Sequence, residues 1–214
     1  MAGHVEFFFD LSSPWTRLAF HNVQPILAET GATVRWRPFL VGGVFNAVNP
    51  SVYQARERND PKMARSFGWL KEWAALAGLA MNFPSPHHPV KSVWAMRFCC
   101  ALEDRQDNLH RFAEAAFEAY YRDQQNLDDP AVLIGIADGC GLDGNALATL
   151  AQTAAIKDRL RANTQEAIDR GAFGSPTMFV GQGFGGGEGA RALYFGNDQL
   201  PLVRQALRAG RSHG

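Results

Sequence analysis

An α/β fold broken by a long run of helices is what this sequence predicts, on three observations. An apolar run at 5–9, Val-Glu-Phe-Phe-Phe, is followed by a helical pattern and by a second strand-like run at 34–41. From residue 59 to about 170 the apolar residues recur at helical spacing. Strand character returns at 177–180 and 192–195, and a helix at 198–209 closes the pattern. The first two strands are joined by a helical crossover, so they are expected to run parallel. The expected organisation is one domain assembled from 1–58 and 171–214, with 59–170 as a helical insertion.

Each element has a local reason. The 5–9 run is short, aromatic and bounded by polar residues, as a buried strand is. Pro14 stands in the first turn of a helix, where the N–H it lacks would have no intrahelical partner. That helix carries Leu18, Ala19, Val23, Ile26 and Leu27, is expected to kink at Pro25, and ends at Gly31. Pro38 predicts an edge or an irregularity in the second strand, because proline gives the ladder no donor. Met63, Phe67, Leu70 and Ala74 recur at spacings of three and four. A second helix is expected to begin near Val90 and to carry Val93, Trp94, Met96 and Phe98. A third, at 109–121, has Phe112, Ala116 and Tyr120 on one face. Asp129-Pro130 reads as an N-cap with proline at the first helical position; Gly139 and Gly141 stop that helix. Asp143 caps a short helix, and 154–170 is the last long one of the block. The glycines of 181–189 make the last two strands a hairpin.

Composition narrows the function. The 214 residues are 46% hydrophobic and 20% charged, with 21 Lys and Arg against 21 Asp and Glu. Zero net charge leaves no basic excess to neutralise phosphates, so no nucleic-acid partner is expected. No apolar stretch approaches the ~20 residues of a bilayer span, so no membrane partner is expected either. Strand-like sequence begins at Val5 with no charged-then-apolar leader, which predicts a cytoplasmic protein. Cys99, Cys100 and Cys140 are odd in number and lack metal-binding spacing; free reduced thiols and no metal are expected.

The chemistry is carried by two short motifs. Ser13-Pro14-Trp15-Thr16 lies between the first strand and the first helix, where a thioredoxin-like domain carries Cys-x-x-Cys. Hydroxyls stand in both sulfur positions, so no disulfide can form there, but a hydroxyl at a helix N-terminus can hold a thiolate brought by a ligand. Gly174-Ser175-Pro176-Thr177 is the second motif. An ordinary X–Pro bond is trans. Paired with the Ser13-Pro14 turn, a proline just before a strand is expected to be cis and to present the backbone of Ser175 to a peptide-like ligand.

Further stretches give the chain a specific resemblance: Phe9-Asp10-Leu11-Ser12-Ser13-Pro14-Trp15, Arg37-Pro38-Phe39-Leu40-Val41-Gly42-Gly43-Val44-Phe45, Asn82-Phe83-Pro84, the run 171–180, and Phe195-Gly196-Asn197-Asp198-Gln199-Leu200. In this order they resemble the 2-hydroxychromene-2-carboxylate isomerase family, kin of the kappa-class glutathione transferases. The resemblance implies a DsbA-like architecture, a thioredoxin fold interrupted by helices, with glutathione as cofactor. Ser13 matches the family's catalytic serine, whose hydroxyl donates to the glutathione sulfur; Ser12 is the rival hydroxyl. Lys62 matches a lysine that binds the glycyl carboxylate, and Asn49 an asparagine in the loop 46–60. Ser175 and Pro176 would offer backbone to the cysteinyl unit. Asn197 and Asp198 would hold the γ-glutamyl end, with Asp198 facing its ammonium. Trp15, Thr16 and Lys91 would line the second substrate's pocket. These three and Arg17 depart from the family's usual residues, so the substrate is to that extent this chain's own.

Two weaker signals are set aside. Gly181, Gly183 and Gly186 form a G-x-G-x-x-G, but a strand follows where a dinucleotide site needs a helix. His87 and His88, flanked by Pro86 and Pro89, read as a loop. The expected function is a glutathione-dependent isomerase acting on an aromatic-derived conjugated small molecule by reversible thiolate addition. A kappa-like glutathione transferase and a non-catalytic glutathione- or peptide-binding scaffold are the alternatives, and the reading admits a homodimer.

Overall fold

The computed structural model describes residues 3–48, 61–182 and 192–209, apart from the side chains of 61–63 and 182. The chain runs β1 (Gly3–Phe9), α1 (Pro14–Thr30), β2 (Thr33–Pro38), α2 (Val41–Val48), α3 (Pro61–Leu76), α4 (Val93–Leu102), α5 (Gln106–Tyr121), α6 (Pro130–Gly139), α7 (Gly144–Ala151), α8 (Ala154–Asp169), β3 (Thr177–Gln182) and β4 (Ala192–Phe195). A 3-10 turn, Asn197–Gln199, leads into α9 (Leu200–Ala209).

The four strands form one mixed sheet in the order β2-β1-β3-β4. β1 and β2 are parallel, as the crossover requires, with Phe7 opposite Trp36 and Phe9 opposite Pro38. β1 pairs antiparallel with β3, and β3 with β4. All of β1 is buried, so its alternating side chains serve two interiors. Val5, Phe7 and Phe9 join Leu18, Phe20, Val23 and the helical block in the main core. Phe8 points to the other face and meets Phe39, Val44, Ala167, Ala172 and Phe179. Each buried phenylalanine contributes about 1.5–3 kcal/mol.

Glu6 shares the Phe8 face and is held by two arginines. Arg37 on β2 reaches Glu6 at 3.3 Å and Glu103, just past α4, at 3.0 Å, and also pairs with Glu166 on α8. Arg170 bridges Glu6 and Glu166, each at 2.7 Å. Both guanidinium groups lie over the Phe8 ring. This cluster ties the helices between β2 and β3 to the sheet.

Several boundaries differ from expectation. The strand expected at 34–41 ends at Pro38. Phe39 N–H still reaches Phe9 C=O at 3.1 Å. The chain then turns into α2, whose first N–H, that of Val41, is taken by the Asp10 carboxylate at 2.9 Å. Asn46, expected in a loop, is therefore helical. α1 extends past Pro25 to Thr30, with Val23, Ile26 and Leu27 buried as their spacing predicted. α4 starts at Val93 rather than near Val90, and the closing helix is split into the 3-10 turn and α9. Gly183 and Gly186 lie outside the described residues. No helix among the described residues is long and apolar enough to cross a membrane.

Candidate functional site

The site is assembled where β1 stops. Ser13 is the N-cap of α1, in an extended conformation, and its hydroxyl oxygen accepts from Thr16 N–H at 3.2 Å. This satisfies one orphan donor of the helix and leaves its positive end facing outward. The same hydroxyl donates to the carbonyl of Ser175 at 3.0 Å. The Ser175–Pro176 bond is cis, as the two motifs predicted. Pro176 C=O in turn accepts from Gly196 N–H at 3.2 Å, which sets Asn197 and Asp198 beside the proline. Ser13, Ser175, Pro176, Asn197 and Asp198 are thus brought together from three separate parts of the sequence.

Asp10 organises the floor, and the sequence reading gave it no role. It is 1% exposed. One carboxylate oxygen accepts from the N–H and hydroxyl of Ser12, both at 2.9 Å, and the other from Val41 N–H. The Ser92 hydroxyl also bonds it. Burial pushes its carboxyl above the ordinary range, while the bonds from Ser12, Val41 and Ser92 pull it back. Its own N–H donates to Ser175 Oγ at 3.0 Å. One side chain therefore fixes the turn, the start of α2 and the approach to α4. The available signal was position: an acid between a buried strand and Ser-Ser-Pro has to find partners.

A cleft of about 420 Å³ opens beside this floor, lined on its polar side by Ser12, Asn46, His88, Lys91 and Ser92 and on its apolar side by Leu40, Val41, Phe45 and Val90. Lys91 lines it. Thr16 does not: it is fully buried, and its hydroxyl bonds Ser175 Oγ at 2.8 Å. The expectation that Thr16 lines the pocket is corrected; it positions Ser175 from beneath. Trp15 is half-buried against the main core. Arg17 is also buried, and burial pushes its pKa down, opposed by Glu118 and Glu114. Asn197 is buried, and its side-chain oxygen accepts from Asn22 at 2.8 Å, a partner the sequence did not single out. Asp198 is exposed at the start of the 3-10 turn. Lys62 falls in the first turn of α3, with its side chain outside the described residues, and Asn49 lies outside them altogether.

The chain's own thiols are far from reactive. Cys99 and Cys100 are buried, Cys140 is half-buried, and burial pushes all three pKa values up.

Fold and sequence define a thioredoxin-fold protein whose turn before the first helix carries hydroxyls, Ser13 and Thr16, where a Cys-x-x-Cys would place thiols. The chain matches the DSBA-like thioredoxin domain over residues 4–208 and belongs to that family. Within it, the chain is 28% identical over 214 residues to the 2-hydroxychromene-2-carboxylate isomerase of Sphingobium xenophagum, covering 97% of this chain and 99% of that protein. It is 25% identical over 214 residues to glutathione S-transferase kappa 2 of Caenorhabditis elegans, covering 95% and 91%. Among solved structures, a 2-hydroxychromene-2-carboxylate isomerase superposes with a TM-score of 0.78 at 23% identity, covering 98% of this chain and 97% of that one. The resemblance read from the sequence holds for the family and the fold.

Proposed function

We propose that the protein is a glutathione-dependent isomerase of the 2-hydroxychromene-2-carboxylate isomerase type, acting on a conjugated, aromatic-derived small molecule. One observation carries the reading. A serine hydroxyl caps the helix within 3.0 Å of the carbonyl that precedes a cis-proline, in a chain whose own thiols are suppressed by burial. The thiol has to come from a ligand.

The residues present fit glutathione. Ser175 N–H makes no hydrogen bond among the described residues and, with its C=O, offers a strand-like edge to a cysteinyl unit. The N-terminus of α1 favours negative charge at the sulfur. Asn197 and Asp198 stand on one side of the proline for the γ-glutamyl end; Lys62 and Asn49 are assigned to the glycyl carboxylate. Glutathione, when bound, would supply a thiolate nucleophile for reversible addition to the conjugated double bond. The cleft beside Ser12 and Lys91 receives the second substrate, and the chain contributes positioning and charge stabilisation.

A second reading, a kappa-like glutathione transferase, is favoured by the likeness to the Caenorhabditis elegans protein and would use the same half-site. Reduced glutathione at about 100 times its Kd should stabilise the fold by roughly 2.7 kcal/mol, seen as a thermal shift. No shift with a folded sample would sink both readings. Product analysis on isomerisable enones then decides between them: glutathione is regenerated by an isomerase and accumulates as conjugate with a transferase.

A further inference from the structure

The loop between α3 and α4 carries the two adjacent histidines and is built around one of them. Asn82 N–H donates to Tyr121 C=O at 2.6 Å, which ties the loop to the end of α5. His88 N–H donates to Ser85 C=O at 2.9 Å. The buried Phe83 ring meets the His88 ring edge to face, with centroids 4.7 Å apart. His87 is exposed, whereas His88 is half-buried and borders the cleft that also holds Ser12 and Lys91.

Tyr120 decides which nitrogen of His88 carries the proton. Its hydroxyl lies 3.4 Å from Nδ1. Tyr120 is fully buried, and burial pushes its pKa up to about 12, so the phenol keeps its proton. The Ser85 hydroxyl and Val90 N–H both donate to the phenol oxygen. The Ser85 oxygen accepts in turn from His87 N–H at 3.2 Å, which orients that hydroxyl. With both lone pairs of its oxygen engaged, Tyr120 O–H has to be given away, and the Nδ1 lone pair receives it. The neutral ring then carries its proton on Nε2, at the edge away from Tyr120. A histidine in a solvated loop has no such tautomer imposed on it.

We infer that His88 is a catalytic hydrogen-bond donor, presenting Nε2–H to the carbonyl oxygen of a conjugated enone in the cleft, with Tyr120 as its positioning residue. The inference rests on the glutathione-dependent reading and narrows its substrate, because the double bond has to be conjugated to an oxygen. As the carbon–sulfur bond forms, the π pair of the double bond shifts onto that oxygen. As the bond breaks, the pair returns and the double bond is restored. No proton is transferred. Nε2–H holds one hydrogen bond throughout, and that bond is strongest while the oxygen is negative. A neutral donor suits this cycle, since the charge it stabilises has to be given back. Lys91 borders the same cleft and adds positive charge to it.

Two measurements on the intact protein test this. Nitrogen NMR above the ordinary histidine pKa of about 6.5 reads the tautomer with no substrate present. The ring signals absent from His88→Gln assign the residue. Nε2 should be protonated and Nδ1 not, and Tyr120→Phe should let the two forms exchange. A ring protonated on Nδ1, or one unmoved by Tyr120→Phe, overturns the inference. The second measurement follows isomerisation of cis-4-phenylbut-3-en-2-one by the protein saturated with reduced glutathione. His88→Ala should lower kcat/KM about a hundredfold, the cost of losing one donor to a developing oxyanion, with the glutathione Kd unchanged. His88→Gln, whose side-chain amide can place an N–H where Nε2–H stood, should recover part of that loss. An undiminished rate in His88→Ala overturns the inference and leaves the proposed function standing. No turnover by the wild type removes the proposed function instead, and the inference with it.

Discussion

The Arg37 cluster and the Asp10–Ser175 cluster are both buried, both polar and both at the junction of sheet and helices, yet the first is closed by ion pairs and the second adjoins a cleft. Around Arg37 and Arg170, Glu6, Glu103 and Glu166 are each paired, and Asn163 bonds both Arg37 and Glu103. Around Asp10, the bonds hold a turn in place but leave Ser175 N–H without a partner among the described residues, and Ser12 faces a cleft. Buried polar groups that pair among themselves dock elements; those held in place with capacity to spare beside an opening are the ones a ligand can complete.

That contrast can be broken most forcefully at Arg37. Arg37→Met takes the ion-pair partner from Glu103 and leaves Glu6 and Glu166 to Arg170 alone, and removal of one partner from a buried ion cluster costs about 3–5 kcal/mol. Denaturant melts should show a loss of that size, with glutathione affinity unchanged wherever the variant is folded. A matching loss of affinity would mean that the clusters are not separable. Next in size, Asp198→Ala and Lys62→Ala should each weaken glutathione binding roughly tenfold or more in calorimetry, with little change in melting, since each removes one charge-assisted contact. Unchanged affinity in either would make that residue a solvated surface charge.

What the sequence showed and what it hid divide along the same line. β1, α1 and the antiparallel pair β3–β4 were legible because their signals are local: aromatic alternation, proline at a first turn, Gly31 in the left-handed conformation with φ 60°. The approach of Ser13 to Ser175 was legible through two short motifs. α2 was not, because Phe39-Leu40-Val41 reads as strand and the group that starts the helix is Asp10, 31 residues upstream. Thr16 was misplaced for the same reason: whether a hydroxyl beside a turn faces solvent or a buried serine is decided by β3, not by its neighbours in sequence. The partnership of Asn22 with Asn197 spans 175 residues and leaves no local trace.

Smaller effects sharpen the comparison. Burial pushes the Glu103 carboxyl up, and bonds from Asn163 and the charges of Arg37 and Arg159 only partly offset it. A raised carboxyl binds its proton more tightly in the folded state. Its contribution to stability is therefore complete below the ordinary pKa of 4.5 and is lost as pH rises through the folded value. Glu103→Gln, which cannot ionise, should gain on the wild type across that rise; a difference independent of pH would show that the ion pairs, rather than burial, set the carboxyl's charge. Least of all should change at the cysteines. Alkylating reagents should leave Cys99 and Cys100 untouched in the native state and label Cys140 slowly. Rapid labelling of Cys99 or Cys100 would contradict the claim that the chain has no working thiol of its own.

The central claim is that a ligand brings the thiol and Ser13 holds it as a thiolate. A pH titration of the ultraviolet absorbance of reduced glutathione bound to wild type and to Ser13→Ala tests it most directly. The account predicts a thiol pKa well below that of free glutathione in the wild type and most of that drop lost in Ser13→Ala, with binding retained by both. A bound thiol that titrates identically in the two proteins would contradict it.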